Sequence, residues 1–130
     1  MRSNQEYNLA KAIAHYMKIQ FPEVLYRFDM AGLNLSKTQA GMNKSIQFGK
    51  GYPDFQIITP RTVDGVHYNG MFLELKKEGE KLFKKNGDFV SEHVENQHNF
   101  ILKLREAGYF ASFSIGFDMS KDFIDKYLGQ

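Results

Sequence analysis

The stretch MFLELK, Met71–Lys76, decides the predicted fold of this chain. In a β-strand successive side chains point to opposite faces, so Glu74 and Lys76 share one face with Phe72, while the other three residues, all apolar, share the opposite face. An apolar face of this kind predicts a central strand. Charge on the second face of a central strand is costly unless it has partners, and a site for a metal ion and a phosphodiester is one reason to place it there.

A second acidic residue, Asp54, stands directly after Pro53 at the start of a candidate strand over Phe55–Thr59. Proline suits the first position of a strand because its φ is fixed and it has no N–H to donate. The segment between this strand and Met71–Lys76 is rich in turn-forming residues and predicts antiparallel pairing of the two strands. Asp54 and Glu74 would then present their carboxylates together.

The two carboxylates suit a hard divalent cation such as Mg²⁺, which binds oxygen ligands and usually keeps several waters. Asp54 and Glu74 are the candidate ligands, and the backbone carbonyl of Leu75 is a third. Lys76 would orient the attacking water or stabilise charge on the phosphoryl oxygens. The alternative is that Glu74 and Lys76 form an exposed pair on an edge strand, where charged residues discourage aggregation.

Glu6 is a candidate site residue near the start of the predicted first helix. It lies three, seven and eleven residues before Leu9, Ile13 and Met17, and therefore falls on the apolar stripe that faces the sheet. A carboxylate there could approach the metal or its water. Glu6 also completes a capping box with Ser3, which is a full structural explanation of its own.

Gln97 falls on the inward face of a later helix, three and four residues before Phe100 and Ile101. A buried amide requires hydrogen-bond partners, and a catalytic side chain, a substrate phosphate or the backbone could supply them. His93 and His98 stand five residues apart, off a common helix face, which argues against a histidine metal centre.

Composition sets the outer limits of the prediction. With 130 residues, 42% hydrophobic and 15% aromatic, the chain fits one α/β domain over residues 1–130. There is no cysteine, so that disulfides, thiolate nucleophiles and cysteine-ligated zinc are excluded. No apolar run is long enough for a membrane span or a signal peptide, and we expect a soluble, intracellular protein located in the cytoplasm.

Lysines flank the acidic motif although the net charge is only +2. Amines on both sides of a carboxylate site suit a polyanion that lies across it, since they neutralise backbone phosphates. Two solvated lysine-rich loops are the alternative interpretation. The candidate phosphate contacts are Lys37, Lys44, Lys50, Lys84 and Lys85.

Periodicity and turn signals predict an alternation of helices and strands in one α/β sandwich. Asn86-Gly87 predicts a hairpin turn with a basic tip. The remaining predicted elements are a helix over Ser3–Gln20, a strand over Leu25–Phe28, a short helix over Thr38–Ile46, a helix capped by Ser91 and closed by Gly108, a strand over Tyr109–Ile115, and a last short helix capped by Asp118 or Ser120.

The motifs, taken in order, resemble a known family. They are Gly51-Tyr52-Pro53-Asp54-Phe55, Gly70 to Lys77 (GMFLELKK), Gln97, Gly108-Tyr109-Phe110-Ala111 and Gly116-Phe117-Asp118. In order, spacing and strand context they resemble the VRR-NUC branch of the PD-(D/E)xK nucleases, in particular the small stand-alone proteins of phages and prophages.

The resemblance implies a restriction-endonuclease-like fold with a mixed central sheet flanked by helices, and dependence on Mg²⁺ or Mn²⁺. It also implies that Asp54 and Glu74 hold the metal, that Lys76 assists the nucleophile, and that Glu6 matches the glutamate of the first helix. Family members cleave branched or flapped DNA, and the small phage-type members act as homodimers on four-way (Holliday) junctions.

The sequence therefore predicts a metal-dependent, structure-selective DNA endonuclease of phage replication, recombination or repair, acting inside a bacterial or phage-infected host cell. A restriction-type or flap nuclease of the same fold is one alternative. A catalytically silent nucleic-acid-binding module that keeps the basic loops is another, and a protein-interaction domain without nucleic-acid affinity is a third.

Overall fold

Four helices and six strands lie in the part of the chain that the computed structural model describes, residues 4–29, 36–47 and 49–129. The helices are α1 (Asn4–Gln20), α2 (Lys37–Ile46), α3 (Glu92–Glu106) and α4 (Gly116–Leu128). The strands are β1 (Tyr26–Phe28), β2 (Phe55–Ile57), β3 (Arg61–Val63), β4 (Val66–Tyr68), β5 (Met71–Lys76) and β6 (Phe110–Ile115).

Strand β5 lies inside a four-stranded mixed sheet of order β1-β2-β5-β6. It pairs antiparallel with β2 and parallel with β6, and β1 pairs antiparallel with β2. All six residues of β5 are buried. The predicted central strand and its antiparallel pairing with β2 are confirmed, and the alternative of an exposed pair on an edge strand is excluded.

The two faces of the sheet carry different layers, as the alternation in β5 predicts. Met71, Leu73 and Leu75 belong to the main core, which they form with buried residues of α1, β2 and α4. Phe72, on the other face, packs with Ile101 of α3 and with residues of β6. Helices α1 and α4 therefore cover one face, and α3 covers the face that carries Glu74 and Lys76.

A separate hairpin of β3 and β4 fills the segment between β2 and β5, where the sequence predicts only turns. Its two-residue turn is Asp64-Gly65, and both residues have positive φ, 51° and 81°. This is the conformation that a tight hairpin turn requires. The Asp-Gly signal is present in the sequence, but the short flanking strands, Arg61–Val63 and Val66–Tyr68, lack the alternating pattern of a buried strand.

The predicted cap of the last helix is wrong. Helix α4 begins at Gly116, directly after β6, with Ile115 at the N-cap position and no side-chain capping bond. Ser120 instead donates a hydrogen bond to the Gly116 carbonyl at 2.9 Å and contacts Ser114 Oγ at 2.7 Å. Because β6 runs straight into α4, no loop remains in which Asp118 could act as the cap.

The predicted basic-tipped projection is present between β5 and α3. Phe83 and Phe89 form an antiparallel bridge with stacked rings 5.1 Å apart, and Phe89 in turn lies 5.0 Å from the ring of His98 on α3. Of the two turn residues, Gly87 alone has positive φ. The aromatic contacts hold this hairpin against α3.

A polar contact joins α1 to α4 at the edge of the main core. Tyr16 donates a hydrogen bond to Asp125, and Lys121 donates another to Asp125 Oδ2 at 2.8 Å. The Lys121 ammonium also lies 5.3 Å from the centre of the Tyr16 ring. Burial raises the pKa of Asp125, but the hydrogen bonds from Lys121 and Tyr16 outweigh it and hold that pKa below its usual range.

We expect Asp125→Asn to lower the melting temperature at pH 7, because the variant loses the charge that these hydrogen bonds stabilise. A depressed acid pKa contributes stability above the pKa of an unfolded aspartate, about 3.9, and this contribution is lost as pH falls through the lower folded value. Thermal unfolding of both proteins from pH 7 to pH 2 checks this. A difference that stays constant over the whole range would contradict it.

Candidate active site

Asp54 and Glu74 come together because β2 and β5 are paired in one register. Phe55 lies opposite Leu73, so the next position places Asp54 opposite Glu74. Side chains directly opposite in an antiparallel pair lie on the same face, with their Cβ atoms about 4.5–5.5 Å apart. Both residues are buried, Asp54 with 8% and Glu74 with 3% of its surface exposed.

Asp54 is fixed at the point where β2 stops pairing with β5. By the register, Pro53 would lie opposite Leu75, and the Leu75 amide instead donates a hydrogen bond to Asp54 Oδ2 at 3.0 Å. On the other side, the Asp54 carbonyl accepts a hydrogen bond from the Asp29 amide at 2.7 Å. These contacts hold the carboxylate directly before the first residue of β2.

Lys76 carries a buried charge on the same face as Glu74, with only 5% of its surface exposed. Its ammonium donates to Gln97 Oε1 at 2.8 Å and forms an ion pair with Glu80 at 3.5 Å. It also lies 5.9 Å from the centre of the Phe113 ring. Burying an ammonium costs free energy unless it has such partners, so these contacts stabilise Lys76 in its buried position.

Gln97 lies on the inward side of α3, as its spacing predicts, and is 5% exposed. Its contact with Lys76 shows that it reaches the strand that carries the candidate site. The second end of its amide, Nε2, lies 3.1 Å from Nε2 of His93, one turn earlier on the same helix. The sequence predicted the first contact as one possible role of Gln97, and it did not predict the second.

Glu6 is placed differently from the other candidates. It is half-buried in the first turn of α1, whose buried residues include Leu9 and Ile13 and pack on the sheet face opposite Glu74. The predicted apolar stripe is confirmed. The predicted capping-box partner of Glu6, Ser3, lies outside the described residues. The role of Glu6 in the site stays a prediction.

The five candidate phosphate-contacting lysines are all exposed, and they lie on two separate segments. Lys37 and Lys44 belong to α2, which buries none of its residues and begins with a capping box of Ser36 and Gln39. Lys50 follows α2. Lys84 and Lys85 stand at the tip of the hairpin that Phe89 holds against α3.

A polar cleft of about 200 Å³ opens beside Asp54, on the part of the sheet that α3 leaves uncovered. Arg27 of β1 lies opposite Gln56 of β2, so both project from the sheet face that carries Asp54. Tyr52 also lines the cleft and packs edge-on against Phe72 and Phe100. The other lining residues are Asp29, Gln47 and Pro53.

Burial raises the pKa of the Tyr52 phenol, and Asp29 adds to this effect while Arg27 opposes it. The phenol therefore remains protonated at neutral pH and can donate a hydrogen bond into the cleft. The sequence pattern did not predict this cleft. Tyr52 stands beside the Pro53-Asp54 motif and could have been identified from the sequence. Arg27 and Gln56 come together only through the pairing of β1 with β2.

The donor set at this site fits a hard divalent cation. Two buried acidic residues lie opposite each other on one sheet face. Mg²⁺ is usually bound by one or two carboxylates together with waters and substrate phosphates. Among residues 4–29, 36–47 and 49–129, no three histidine, aspartate or glutamate side chains group closely enough to hold a metal. A site here would therefore rely on substrate and water for its remaining ligands.

A solved structure has a fold similar to that of this chain. A structure described as a "VRR_NUC domain protein" matches with a TM-score of 0.65 at 20% sequence identity, and the match covers 99% of this chain and 92% of that chain. The chain has the fold of a VRR_NUC domain protein. No model of a protein family matches the sequence. No curated protein matches it significantly.

The predicted fold class is thus confirmed: a mixed central sheet flanked by helices, in the arrangement of a VRR_NUC domain. The likeness extends over nearly the whole chain, and therefore includes β2, β5 and α3, the elements that bring Asp54, Glu74, Lys76 and Gln97 together. Within the described part of this VRR_NUC fold, no helix has the length and apolar character needed to cross a membrane.

Gly51, in the segment before β2, lies close against the backbone of α3, and this contact gives a test of how the site is held. Its φ is +94°, and a Cβ at this position would lie 2.7 Å from the Asn96 carbonyl oxygen and 3.0 Å from the Gln97 amide nitrogen. Both are backbone atoms of α3, which cannot move aside as a flexible side chain can.

We expect Gly51→Ala to reduce the free energy of unfolding by about 1–3 kcal/mol, through backbone strain and collision with α3. Gly49→Ala is the matched control, because a Cβ there would meet nothing within 4 Å. Chemical denaturation of both variants measures the difference. Equal stability of the two variants would show that the contact between Gly51 and α3 is not a constraint.

Proposed function

We propose that this chain is a metal-dependent DNA endonuclease of the VRR-NUC family, within the PD-(D/E)xK nucleases. One observation carries the proposal: two acids and an amine, Asp54, Glu74 and Lys76, are buried on one sheet face, and Asp54 borders an open polar cleft. The fold shared with a VRR_NUC domain protein supports it. Buried charges contribute little to stability because desolvation offsets their attraction, so the burial of three charged groups on one face favours a functional role.

Asp54, Glu74 and the carbonyl of Leu75 would hold Mg²⁺ or Mn²⁺. When bound, such an ion supplies charge stabilisation and lowers the pKa of a coordinated water. The two carboxylates bring negative charge to the end of β2, and the Leu75 amide orients the Asp54 carboxylate through the hydrogen bond at 3.0 Å. The protein thereby fixes the Asp54 carboxylate before substrate arrives.

Lys76 would act on the phosphate and on the attacking water. Its ammonium is fixed by Gln97 Oε1 and by Glu80, so that its position does not depend on substrate. A fixed positive charge in a buried site stabilises the charge that develops on the phosphoryl oxygens. Gln97 keeps the ammonium beside the acids, and Glu6, at the start of α1, is proposed to assist from the edge of the site.

The proposed substrate is branched DNA, including four-way junctions, and the proposed active form is a homodimer serving phage replication, recombination or repair. The motif resemblance supports this choice. The cleft beside Asp54 would receive the nucleotide next to the scissile phosphate, with Arg27, Gln56 and Tyr52 at its walls. Exposed lysines on α2 and on the hairpin would contact phosphates without reading sequence.

Cleavage assays with separate charge-neutral variants test the proposal. In Mg²⁺ or Mn²⁺ the wild-type protein should cut junction DNA, Asp54→Asn and Glu74→Gln should abolish cutting, and Lys76→Met should slow it by about 100- to 1000-fold. DNA affinity should persist in each variant. The matched control is Asp64→Asn, because Asp64 is exposed in the β3–β4 turn and is paired only at the surface, with Lys126 at 3.3 Å.

Duplex, flap, single-stranded and four-way DNA are compared with each metal and with a chelator. Survival of every substrate with both metals would overturn the nuclease proposal, and DNA binding without cutting would favour the binding-module alternative. Equal cutting of plain duplex and junctions would overturn structure selectivity alone.

The hairpin lysines should contribute to DNA affinity through phosphate contacts. We expect Lys84→Gln with Lys85→Gln to weaken binding to all DNA sequences alike and to reduce the salt slope of log K by about 1 for each lost contact. The matched control is Lys11→Gln with Lys18→Gln, since these exposed lysines lie on α1, on the far side of the sheet. Filter binding at several salt concentrations gives the slopes, and equal slopes for the two double variants would contradict the assignment.

A further inference from the structure

A chain of hydrogen bonds leads from the buried Lys76 to the partly exposed first turn of α3. Lys76 Nζ lies 2.8 Å from Gln97 Oε1, and Gln97 Nε2 lies 3.1 Å from His93 Nε2. Gln97 is 5% exposed, so its amide has little access to solvent. The direction of each hydrogen bond in this chain follows from the chemistry of its groups.

The ammonium of Lys76 has three donors and no acceptor, and the partner atom must therefore be the carbonyl oxygen of the Gln97 amide. The NH₂ group of the same amide is then turned toward His93. An amide NH₂ is a donor only, so the His93 Nε2 atom must accept. His93 consequently carries its proton on Nδ1 and is neutral in this arrangement.

We propose that His93 is a positioning residue, which fixes the orientation of the Gln97 amide and through it the acceptor that holds Lys76. The effect of His93 on catalysis rests on the proposed nuclease function. Its effect on the orientation of Gln97 rests on the two hydrogen bonds alone. No substrate contact is assigned to His93.

A side chain at position 93 that offers only donors removes this acceptor from the side-chain amide of Gln97. Two donors, the Gln97 NH₂ and the new side chain, would then face each other, and a rotated amide would present its NH₂ to the Lys76 ammonium. Either arrangement loosens Lys76.

Three substitutions of His93 separate positioning from general stability. His93→Ala removes the acceptor and should lower kcat for junction cleavage by about 2- to 10-fold, with KM unchanged. His93→Lys presents only donors and should be at least as impaired. His93→Gln restores a neutral acceptor and should recover most of the rate.

His67→Gln is the control for these substitutions, because His67 is exposed on β4, outside the four-stranded sheet, and has no part in the chain to Lys76. Equal kcat for His93→Ala, His93→Lys and His93→Gln, or the same loss of kcat for His67→Gln, would overturn the proposal.

An NMR measurement tests the structural content without any nuclease activity. Long-range ¹H–¹⁵N spectra of the wild-type protein at pH 8 should show the His93 ring protonated on Nδ1, and Gln97→Leu should relax that preference. A ring protonated on Nε2 in the wild type would overturn the proposal even if the protein cleaves DNA. The expected spectrum in a protein that cleaves nothing would retain the positioning role and reject the proposed function.

Discussion

The pairing of β2 with β5 is the constraint on which the site depends. It places Asp54 opposite Glu74 and brings the Asp54 carboxylate to the Leu75 amide. A shift of one residue in this register would exchange the two faces of β2 and turn Asp54 into the core formed with α1 and α4. The apolar side chains of Phe55 and Ile57, both fully buried in that core, oppose such a shift.

The parallel pairing of β5 with β6 decides which part of this face is covered. A parallel pair requires a crossover, and α3 is that crossover, so it packs over β5 and β6 through Phe72, Ile101 and Ala111. The half of the sheet formed by β1 and β2 stays open on this side. One topological feature therefore buries Lys76 under α3 and leaves a cleft beside Asp54.

Local patterns predicted the parts of the fold that depend on neighbours in sequence. The alternation in Met71–Lys76 predicted which side chains share a face, and the spacing around Gln97 predicted its inward position. The cleft was not predictable in this way, because Arg27 and Gln56 meet only across two strands separated by α2. The contact of His93 with Gln97 is different. The two residues are one helical turn apart, so their contact could have been predicted from the sequence. Its importance for the site becomes clear only because Gln97 also contacts Lys76.

The burial of Lys76 is a physical argument for a role other than stability. A buried ion pair is often no better for stability than apolar residues of similar volume, because desolvation offsets the attraction. Here Gln97, Glu80 and the face of Phe113 stabilise the buried ammonium, and His93 in turn contacts Gln97. An apolar residue at this central strand position would need none of them. The polar partners are explained if a fixed positive charge is needed beside Asp54 and Glu74, as phosphodiester cleavage requires.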